Sequence, residues 1–444
     1  MIKEDPKINV GVVEHAREIQ GVFNGPFELP TSVRLEGAFT ARIVGDRIVL
    51  LDNEGKEVMK GTEIVCRPLR SGTFTLKGVT IGINFHWERK EDQTFEGALC
   101  LHSSPDGSMT AINEISVEDY LKSVISSEMS AEAPLELLKA HAITSRSWLV
   151  AMLEKQMRGK NVGAPALRTR ETGSEVVRWY DREDHTSFDV CADDHCQRYQ
   201  GITKIISSRA QEAIDVTRGS FLVHEEEICD ARYYKACGGL TECFENVWED
   251  TAVSYLQTVS DSEHPHPAIA TEADARQWIL SSPDAYCNTT DAEVLRQILP
   301  SFDQETADFF RWRVEYTREE LERIVGKKSG IDFGTITDLV PVQRGPSGRI
   351  IRLKIVGTKK VIVVGKELEV RRWLSNSHLY SSAFVVDTER DRDGVPTRFT
   401  LRGAGWGHGV GLCQIGAAVM AARGKKAEEI VLHYFRGARV QRLY

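Results

Sequence analysis

The chain has 444 residues, 41% of them hydrophobic and 27% charged, a composition typical of a soluble globular protein with a large core. A net charge of -9, without any Lys/Arg cluster, argues against a nucleic-acid surface, because phosphate binding needs concentrated positive charge. No window approaches the roughly 18 consecutive apolar residues of a transmembrane helix, and residues 1–30 lack the basic-then-apolar order of a signal peptide. Either the protein is cytoplasmic or its leader is absent from this sequence.

Residues 8–115 are predicted to form β-strands. They contain β-branched and aromatic runs, separated by turn sequences at Asn53-Glu54-Gly55 and Pro105-Asp106-Gly107. This pattern is typical of β-hairpins. We therefore expect a β-rich N-terminal part that leads directly into helical sequence.

The first helix is predicted to begin at Ser116, which has a capping-box partner in Asp119. Apolar residues then recur at three- and four-residue steps, and Glu128 falls on the same side near the helix end. A carboxylate on a buried edge needs a partner or a raised pKa, and a catalytic acid has the same requirement. The alternative is an ordinary solvated helix end.

A second helix is predicted to start at Pro134, because proline is tolerated in a first turn. Its inward stripe contains the small residues Ala142 and Ser145, which would let another backbone approach. Arg146 and Ser147 lie in the same turns, where they either reach a groove or face solvent. The polar residues 159–184 that follow predict a mobile excursion.

The segment after this excursion has metal-ligand chemistry. His185, Cys191, His195 and Cys196 supply two imidazoles and two thiols, enough for a closed tetrahedral zinc site. Their spacing is not that of a zinc finger, and a loop with a Cys191–Cys196 disulfide or with free thiols is the alternative. Because all four residues are local, a metal here would stiffen the loop and leave no open catalytic position.

The nine cysteines show neither a CxxC pair nor an even disulfide framework. Four of them are scattered among apolar neighbours and are predicted to pack as small hydrophobic residues: Cys66, Cys100, Cys287 and Cys413. The other five fall within about fifty residues of one another: Cys191, Cys196, Cys229, Cys237 and Cys243.

Beyond Gly239, Trp248 offers a flat surface on which a sugar ring could stack, although a core tryptophan is the alternative. Residues 264–335 show helical patterns, including a capping-box pair at Thr317 and Glu320. Residues 336–400 return to strand patterns.

Near the C-terminus, glycine occupies every second position from Gly403 to Gly411. An extended segment of this kind would have one side without side chains, so something must pack closely against it. The stretch has neither the lysine of the GxxxxGK[ST] phosphate loop nor, after Gly405, the glycine spacing of the GxGxxG nucleotide-binding motif. His408 projects from the other side, and it is either a groove residue or a structural histidine; a His408–Cys413 nucleophile pair is a further alternative.

Three segments together resemble the SpoIID/LytB family of bacterial cell-wall proteins. They are EISVEDYLKSVISSEM followed by ELLKAHAITSRSWL, then CGGLTECFENVW, then GAGWGHGVGLCQIGA followed by HYFRG. The resemblance covers about residues 110–444, apart from the segment near 160–184. It implies an α+β, SpoIID-like fold, in which a β-rich N-terminal part precedes a mixed helical and β catalytic core with a glycan-binding groove. The expected boundaries are residues 1–110, 111–263, 264–385 and 386–444.

The resemblance implies a peptidoglycan lytic transglycosylase that cleaves the MurNAc-GlcNAc bond of peptide-free glycan strands and leaves 1,6-anhydroMurNAc ends. Glu128 matches the family's catalytic glutamate and would act as the single general acid and base, since the C6 hydroxyl of the sugar replaces water as nucleophile. No second carboxylate, including Glu132, should be needed. The alternatives are a non-catalytic glycan-binding module that enhances a cell-wall amidase, and a zinc hydrolase.

The same match implies a glycan groove lined by Ser145, Arg146, Gly239, Thr241, His408 and Gln414. We add Trp248 to this set because a sugar ring could stack on its flat side chain. Some family members carry zinc in the region of His185 to Cys196, which implies a structural zinc ion there. Cysteines at 237, 243 and 413 depart from the expected small or polar residues, and Cys237 or Cys243 could replace one of the four ligands. Peptidoglycan as substrate implies an extracytoplasmic location.

Overall fold

The computed structural model describes residues 2–82, 88–130, 133–159, 169–179, 185–193, 195–205, 207–298 and 308–444. These residues form an α+β protein, as predicted. By contact density they divide into two compact units. The first unit comprises Met1–Ala142, Glu183–Ser220 and Arg442–Tyr444, and the second comprises Ile143–Arg182 and Phe221–Gln441. The four sequence segments given above remain a prediction.

In chain order the strands of the described residues are β1 Lys7–Ala16, β2 Glu18–Glu28, β3 Arg34–Val44, β4 Arg47–Leu51, β5 Glu57–Gly61, β6 Glu63–Pro68, β7 Thr73–Ile81, β8 Arg89–Phe95, β9 Ala98–Ser103, β10 Met109–Ser116, β11 Thr169–Glu171, β12 Glu175–Arg178, β13 Val190–Cys191, β14 Ser220–His224, β15 Glu227–Ile228, β16 Tyr233–Tyr234, β17 Arg311–Thr317, β18 Ile336–Arg344, β19 Ile350–Gly357, β20 Val361–Gly365, β21 Phe384–Arg390, β22 Pro396–Ala404, β23 Leu412–Cys413 and β24 Arg439–Arg442.

The helices are α1 Val117–Glu128, α2 Leu135–Gly159, α3 Ser208–Val216, α4 Glu272–Leu280, α5 Ala292–Ile298, α6 Arg318–Ser329, α7 Glu367–Trp373, α8 Gln414–Ala422 and α9 Ala427–Tyr434. Short 3-10 turns occur at Gly201–Lys204 and Phe244–Asn246. Within the described ranges, none of these helices combines the length and the apolar character needed to cross a membrane.

The first unit is built on one large sheet in the order β13-β1-β10-β9-β6-β2-β3-β4-β5, with β7 paired to β2 and β8 paired to β7. This confirms the β-rich prediction for residues 8–115. The β9–β10 hairpin turns at the predicted Pro-Asp-Gly sequence, where Gly107 has a positive φ of 76°. Phenylalanine rings fill the core beneath β2 and β3; Phe23 stacks on Phe39 with ring centroids 4.4 Å apart.

Helix α1 begins where the sequence predicts. The Ser116 hydroxyl accepts a hydrogen bond from the Asp119 amide at 3.2 Å, so it satisfies one of the orphan donors of the first turn. The apolar stripe is buried as expected, including Leu121, Val124 and Ile125. Helix α2 follows directly after Pro134, also as predicted.

The second unit contains a five-stranded sheet, β11-β12-β20-β19-β18, and a three-stranded sheet, β17-β22-β21. Its largest apolar cluster includes Trp312, Trp373, Phe384 and Phe399. The capping box at Thr317 and Glu320 is confirmed at the start of α6.

Four elements of the second unit differ from the sequence prediction. Strands β11 and β12 lie within residues 169–179, where we expected a mobile excursion over 159–184, and the apolar β12 residues Val176 and Val177 pair with β20. Residues 160–168 and 180–184 of that stretch lie outside the described residues. Strand β17 interrupts the helical stretch 264–335, and helix α7 interrupts the strand stretch 336–400. In each case tertiary pairing or packing overrides a weak local pattern.

The run of alternate glycines is not an extended strand throughout. Strand β22 ends at Ala404, and Gly405, Gly407, Gly409 and Gly411 have φ angles between 74° and 102°. The expected close packing is confirmed, but its source is the protein itself. A Cβ at Gly407 would lie 2.9 Å from the Tyr234 Cβ, and one at Gly411 would overlap the carbonyl oxygen that precedes β16.

Candidate functional site

Glu128 is the last residue of α1, in the first unit. Its side chain is half-buried, next to the buried residues Ile125 and Met129. The backbone N–H of Arg198 donates to its Oε1 at 3.3 Å. The carboxyl group is therefore oriented by a backbone donor and keeps access to solvent. Glu132 lies outside the described residues.

The segment that supplies this donor is held firmly against α1. The amide of Gln200 donates to the Ser123 hydroxyl at 3.0 Å, one turn before the end of the helix. Between them, the buried Tyr199 ring stacks on Tyr120 with centroids 4.9 Å apart. The Tyr199 hydroxyl donates to the Asn113 side chain at 2.5 Å, and burial raises the pKa of this tyrosine well above its usual range. These contacts fix the position of the Arg198 N–H.

The four residues predicted to bind zinc come together directly before this segment. Their ligand atoms all lie within 4.8 Å of one another. The Cys196 Sγ is 3.5 Å from both His185 Nε2 and His195 Nδ1, and the Cys191 Sγ is 3.8 Å from His195 Nδ1. Neighbouring ligands in a tetrahedral zinc site are about 3.5–3.8 Å apart, as follows from Zn–S and Zn–N bonds of about 2.3 and 2.0–2.1 Å. The cluster therefore has the dimensions needed to hold such an ion.

The fold places the cluster through sheet pairing. Strand β13 joins the edge of the large sheet, where Cys191 is paired in parallel with Gly11. Cys191 and Cys196 are not joined as a disulfide. Their contact, with burial as the second cause, raises the pKa of Cys191 to about 11, because two adjacent thiols resist ionising together. A bound cation would remove this penalty.

The alternative ligands among the cysteines have other surroundings. The Cys243 thiol lies 3.3 Å from the Thr258 hydroxyl and 3.6 Å from Gln257 Oε1. Cys237 clusters with Asp261 and two further cysteines in the second unit. Neither belongs to the four-residue cluster of the first unit.

Several residues predicted to line a glycan groove are buried in the second unit. Ser145 and Arg146 are completely inaccessible to solvent. Thr241 is also buried, and its hydroxyl accepts from the Val259 amide at 2.7 Å. Gly239 has a φ of 110°, and a Cβ there would lie 2.7 Å from the Trp278 ring. In this conformation the interior of the protein, rather than an open surface, surrounds these residues.

Trp248 and His408 are brought together, as part of an aromatic cluster. Their ring centroids are 4.9 Å apart, and Tyr234 lies 5.1 Å from the imidazole on another side. The Arg232 guanidinium covers one face of the Trp248 ring at 3.6 Å from its centroid. With only 9% of Trp248 exposed, the core interpretation of this tryptophan fits the structure better than an open stacking platform.

His408 uses both ring nitrogens for backbone contacts. Its Nε2–H donates to the Tyr233 carbonyl at 3.1 Å, and its Nδ1 accepts from the Val410 amide at 3.1 Å. Burial, followed by the positive charge of Arg232, holds the pKa of His408 well below its ordinary value. A neutral imidazole in this arrangement braces the glycine-rich loop. It has no nitrogen left to activate Cys413 as a nucleophile.

Gln414 is buried and is the first residue of α8, where the Cys413 side chain caps the helix by accepting from the Gly416 amide. The sequence did not point to Arg198 or Tyr199. Arg198 acts through its backbone N–H, so its side-chain type carries no signal. Tyr199 follows the predicted zinc ligands closely, and an aromatic residue in a polar loop was the one available hint.

A cavity in the second unit is lined by other residues. It has a volume of about 600 Å³, and its lining includes Trp179, Asn246, Arg352 and Lys366. None of the residues predicted to contact glycan lines it. The cavity therefore gives no support to the predicted groove residues.

Residues 105–224 match a family model described as Stage II sporulation protein, and residues 242–411 match a domain of unknown function, DUF8618. Stage II sporulation protein D of Bacillus amyloliquefaciens is 23% identical over 327 residues, which cover 74% of each chain. The protein of that name from Bacillus subtilis strain 168 is 23% identical over 85% of this chain and 84% of its own length. The amidase enhancer of the same strain is 23% identical over 71% of this chain, but the match spans only 39% of that protein.

Proposed function

Because the chain belongs to the SpoIID/LytB family, we propose that it is a lytic transglycosylase that cleaves the MurNAc-GlcNAc bond of peptide-free peptidoglycan strands. The observation that carries the proposal is Glu128, a half-exposed carboxyl group at the end of a buried, well-capped helix. It is oriented by the Arg198 N–H. A substrate outside the cytoplasm places the protein in the cell envelope.

The proposed reaction needs one carboxyl group. Glu128 first gives its proton to the glycosidic oxygen as the C1–O bond breaks. The C6 hydroxyl of the same muramic acid then attacks C1, and Glu128 takes up the hydroxyl proton. The glutamic acid is restored, a 1,6-anhydro ring is formed, and no water is consumed. A hydrolase, by contrast, requires a second carboxylate to activate water or to form a glycosyl intermediate.

We further propose a structural zinc ion on His185, Cys191, His195 and Cys196. The support is the tetrahedral separation of the four ligand atoms. Because Arg198 follows the last ligand by two residues, a metal that fixes this loop also holds the N–H that orients Glu128. Such an ion has all four positions filled by protein and takes no part in the reaction.

The test uses purified peptide-free glycan strands and mass spectrometry of the products. The wild type should generate 1,6-anhydromuramyl ends, and Glu128→Gln should lower their rate of formation by about 10²–10⁴, the usual contribution of a general acid or base. Glu36→Gln, the same change at an exposed position of the first unit, is the matched control and should keep full activity.

A second candidate function is a glycan-binding module that stimulates a cell-wall amidase without cutting. The similarity to a protein named amidase enhancer favours it, as does the burial of the predicted groove residues. In this case a column of immobilised wild-type protein would retain glycan strands and generate no 1,6-anhydromuramyl ends. Glu128→Gln would behave identically. That result would exclude the enzyme.

A further inference from the structure

A second cluster of metal-binding side chains lies in the core of the second unit. It consists of Cys237, Asp261, Cys287 and Cys413, whose ligand atoms all lie within 4.8 Å of one another. Each residue is at most 2% exposed, and the Sγ atoms of Cys237 and Cys287 are 3.4 Å apart. The sequence alone predicts Cys287 and Cys413 as small hydrophobic core residues. They are buried, but they lie against polar partners.

Two of the three sulfur atoms accept backbone hydrogen bonds of the kind that stabilise thiolates. The Gly239 amide donates to the Cys237 Sγ at 3.2 Å, and the Cys237 amide donates to the Cys413 Sγ at 3.3 Å. The Gly416 amide donates to the same Cys413 sulfur at 3.4 Å, at the N-terminus of the nine-residue helix α8. Backbone donors and a helix N-terminus both favour negative charge on sulfur.

Asp261 is arranged as a carboxylate ligand with outer-shell support. Its Oδ2 accepts from the Cys287 amide at 2.9 Å, and its Oδ1 accepts from the Tyr434 hydroxyl at 2.6 Å. A side chain at position 416 would collide with this carboxylate, and glycine stands there. No lysine or arginine in the described part of the chain forms an ion pair with Asp261. A buried carboxylate without a cation is costly, so Asp261 either holds a proton or neutralises its charge on a bound metal ion.

Two arginines supply the charge balance for an occupied site. Arg349 donates to the Cys237 carbonyl at 3.3 Å, and Arg311 donates to the Gly238 carbonyl at 3.0 Å. The other hydrogen bonds of Arg311 also go to backbone carbonyls, and among the described residues no carboxylate pairs with it. A divalent cation on three thiolates and one carboxylate leaves two negative charges. Arg311 and Arg349 offset part of this charge, although Arg349 also interacts with the buried Glu242.

We propose that Cys237, Cys287, Cys413 and Asp261 bind one zinc ion, as a second metal centre separate from the histidine-containing cluster. Three thiolates and one carboxylate suit a borderline-soft divalent cation in tetrahedral geometry. Their separations are too small to surround a polynuclear iron–sulfur cluster. Binding releases the thiol protons to solvent. Cys237 precedes the segment 242–411 and Cys413 follows it, whereas Asp261 and Cys287 lie within it. A bound ion would therefore link both ends of this segment to its interior.

The first test measures metal content of the purified full chain after exhaustive dialysis. Elemental analysis should give two zinc ions per wild-type chain, and one each for Cys287→Ser and Cys196→Ser. Cys66→Ser alters a buried thiol outside both clusters, and this matched control should retain two. One zinc per wild-type chain, unchanged in Cys287→Ser, would overturn the proposal.

A cobalt experiment does not depend on Cys287→Ser, which could fail to fold because it lacks the ion of the second cluster. The double variant Cys191→Ser/Cys196→Ser removes both thiols of the first cluster and leaves all four ligands of the second cluster in place. After its zinc is replaced by Co²⁺, this variant should show thiolate-to-cobalt charge-transfer absorption. Absence of this band contradicts the site. A Cys237–Cys287 disulfide would also abolish this band. Alkylation of the denatured, unreduced chain followed by peptide mapping should find both Cys237 and Cys287 labelled, and two unlabelled cysteines at these positions would refute the proposal. These readouts do not involve glycan cleavage, so they stand apart from the proposed reaction.

Discussion

Replacing Gly411 by alanine tests whether the glycine-rich loop packs closely against the neighbouring backbone of the second unit. Gly411 has a φ of 86°, and a Cβ there would overlap the Arg232 carbonyl oxygen and lie 2.9 Å from its carbon. Gly424 provides a matched control, because it has the same φ of 86° and nothing within 4 Å of the added atom. Both glycines belong to the second unit.

The two substitutions separate backbone strain from steric overlap. At a left-handed φ the added Cβ costs about 1–2 kcal/mol, and this applies equally to both positions. Only Gly411→Ala also forces the Arg232 backbone to move, because its obstacle is a carbonyl group rather than a flexible side chain. Overpacking of this kind costs a further 1–3 kcal/mol or so. We therefore expect a loss of about 1–2 kcal/mol for Gly424→Ala and about 2–5 kcal/mol for Gly411→Ala.

Urea unfolding followed by tryptophan fluorescence measures the difference between the two variants. Equal losses at both positions would show that nothing packs closely at Gly411, and the internal-packing account of the loop would be wrong. A folded Gly411→Ala protein with wild-type stability and weakened glycan binding would show that the bare backbone contacts a sugar rather than the protein itself.

Three further results are expected. Cys196→Ser should remove one zinc ion and slow glycan cleavage although Glu128 is intact, whereas Cys66→Ser should do neither; equal metal content in both would contradict the metal site. Ser116→Ala should lower the free energy of unfolding by about 0.5–2 kcal/mol, because it removes the N-cap of α1, and no change in urea unfolding would show that the cap is dispensable. Burial lowers the pKa of His433 to about 4, so the unfolded chain binds a proton first as the pH falls below about 6.5. The free energy of unfolding should therefore fall by up to roughly 3 kcal/mol between pH 6.5 and 4. Urea unfolding at a series of pH values should show a smaller fall for His433→Gln.

Local signals were sufficient for the elements that carry the proposed site. The Ser116 cap and the apolar stripe of α1 follow from hydrogen bonding and periodicity within one helix, so the position of Glu128 at its end could be predicted. The four ligands of the first metal cluster lie within twelve residues of each other, and a short loop can bring them together without help from the rest of the fold.

Features that depend on distant contacts could not be predicted in the same way. The second cluster joins residues as far apart as Cys237 and Cys413, and the sequence neighbours of Cys287 and Cys413 are those of core residues. The burial of Arg146 depends on what packs over α2, which helical periodicity does not reveal. The alternate glycines did signal a close approach, but only the structure identifies the approaching group as the chain's own backbone.

In the proposed reaction Glu128 is the single general acid and base, and neither a second carboxylate nor an activated water takes part. Cleavage of peptide-free strands in water enriched in oxygen-18 tests this directly, because the attacking oxygen in the proposed reaction comes from the substrate. Mass spectrometry should find the new muramic acid ends as 1,6-anhydro sugars without solvent oxygen, and Glu128→Gln should abolish them. New muramic acid reducing ends, formed in place of the anhydro sugars and in proportion to the bonds cleaved, would identify a hydrolase and contradict the single-carboxylate mechanism.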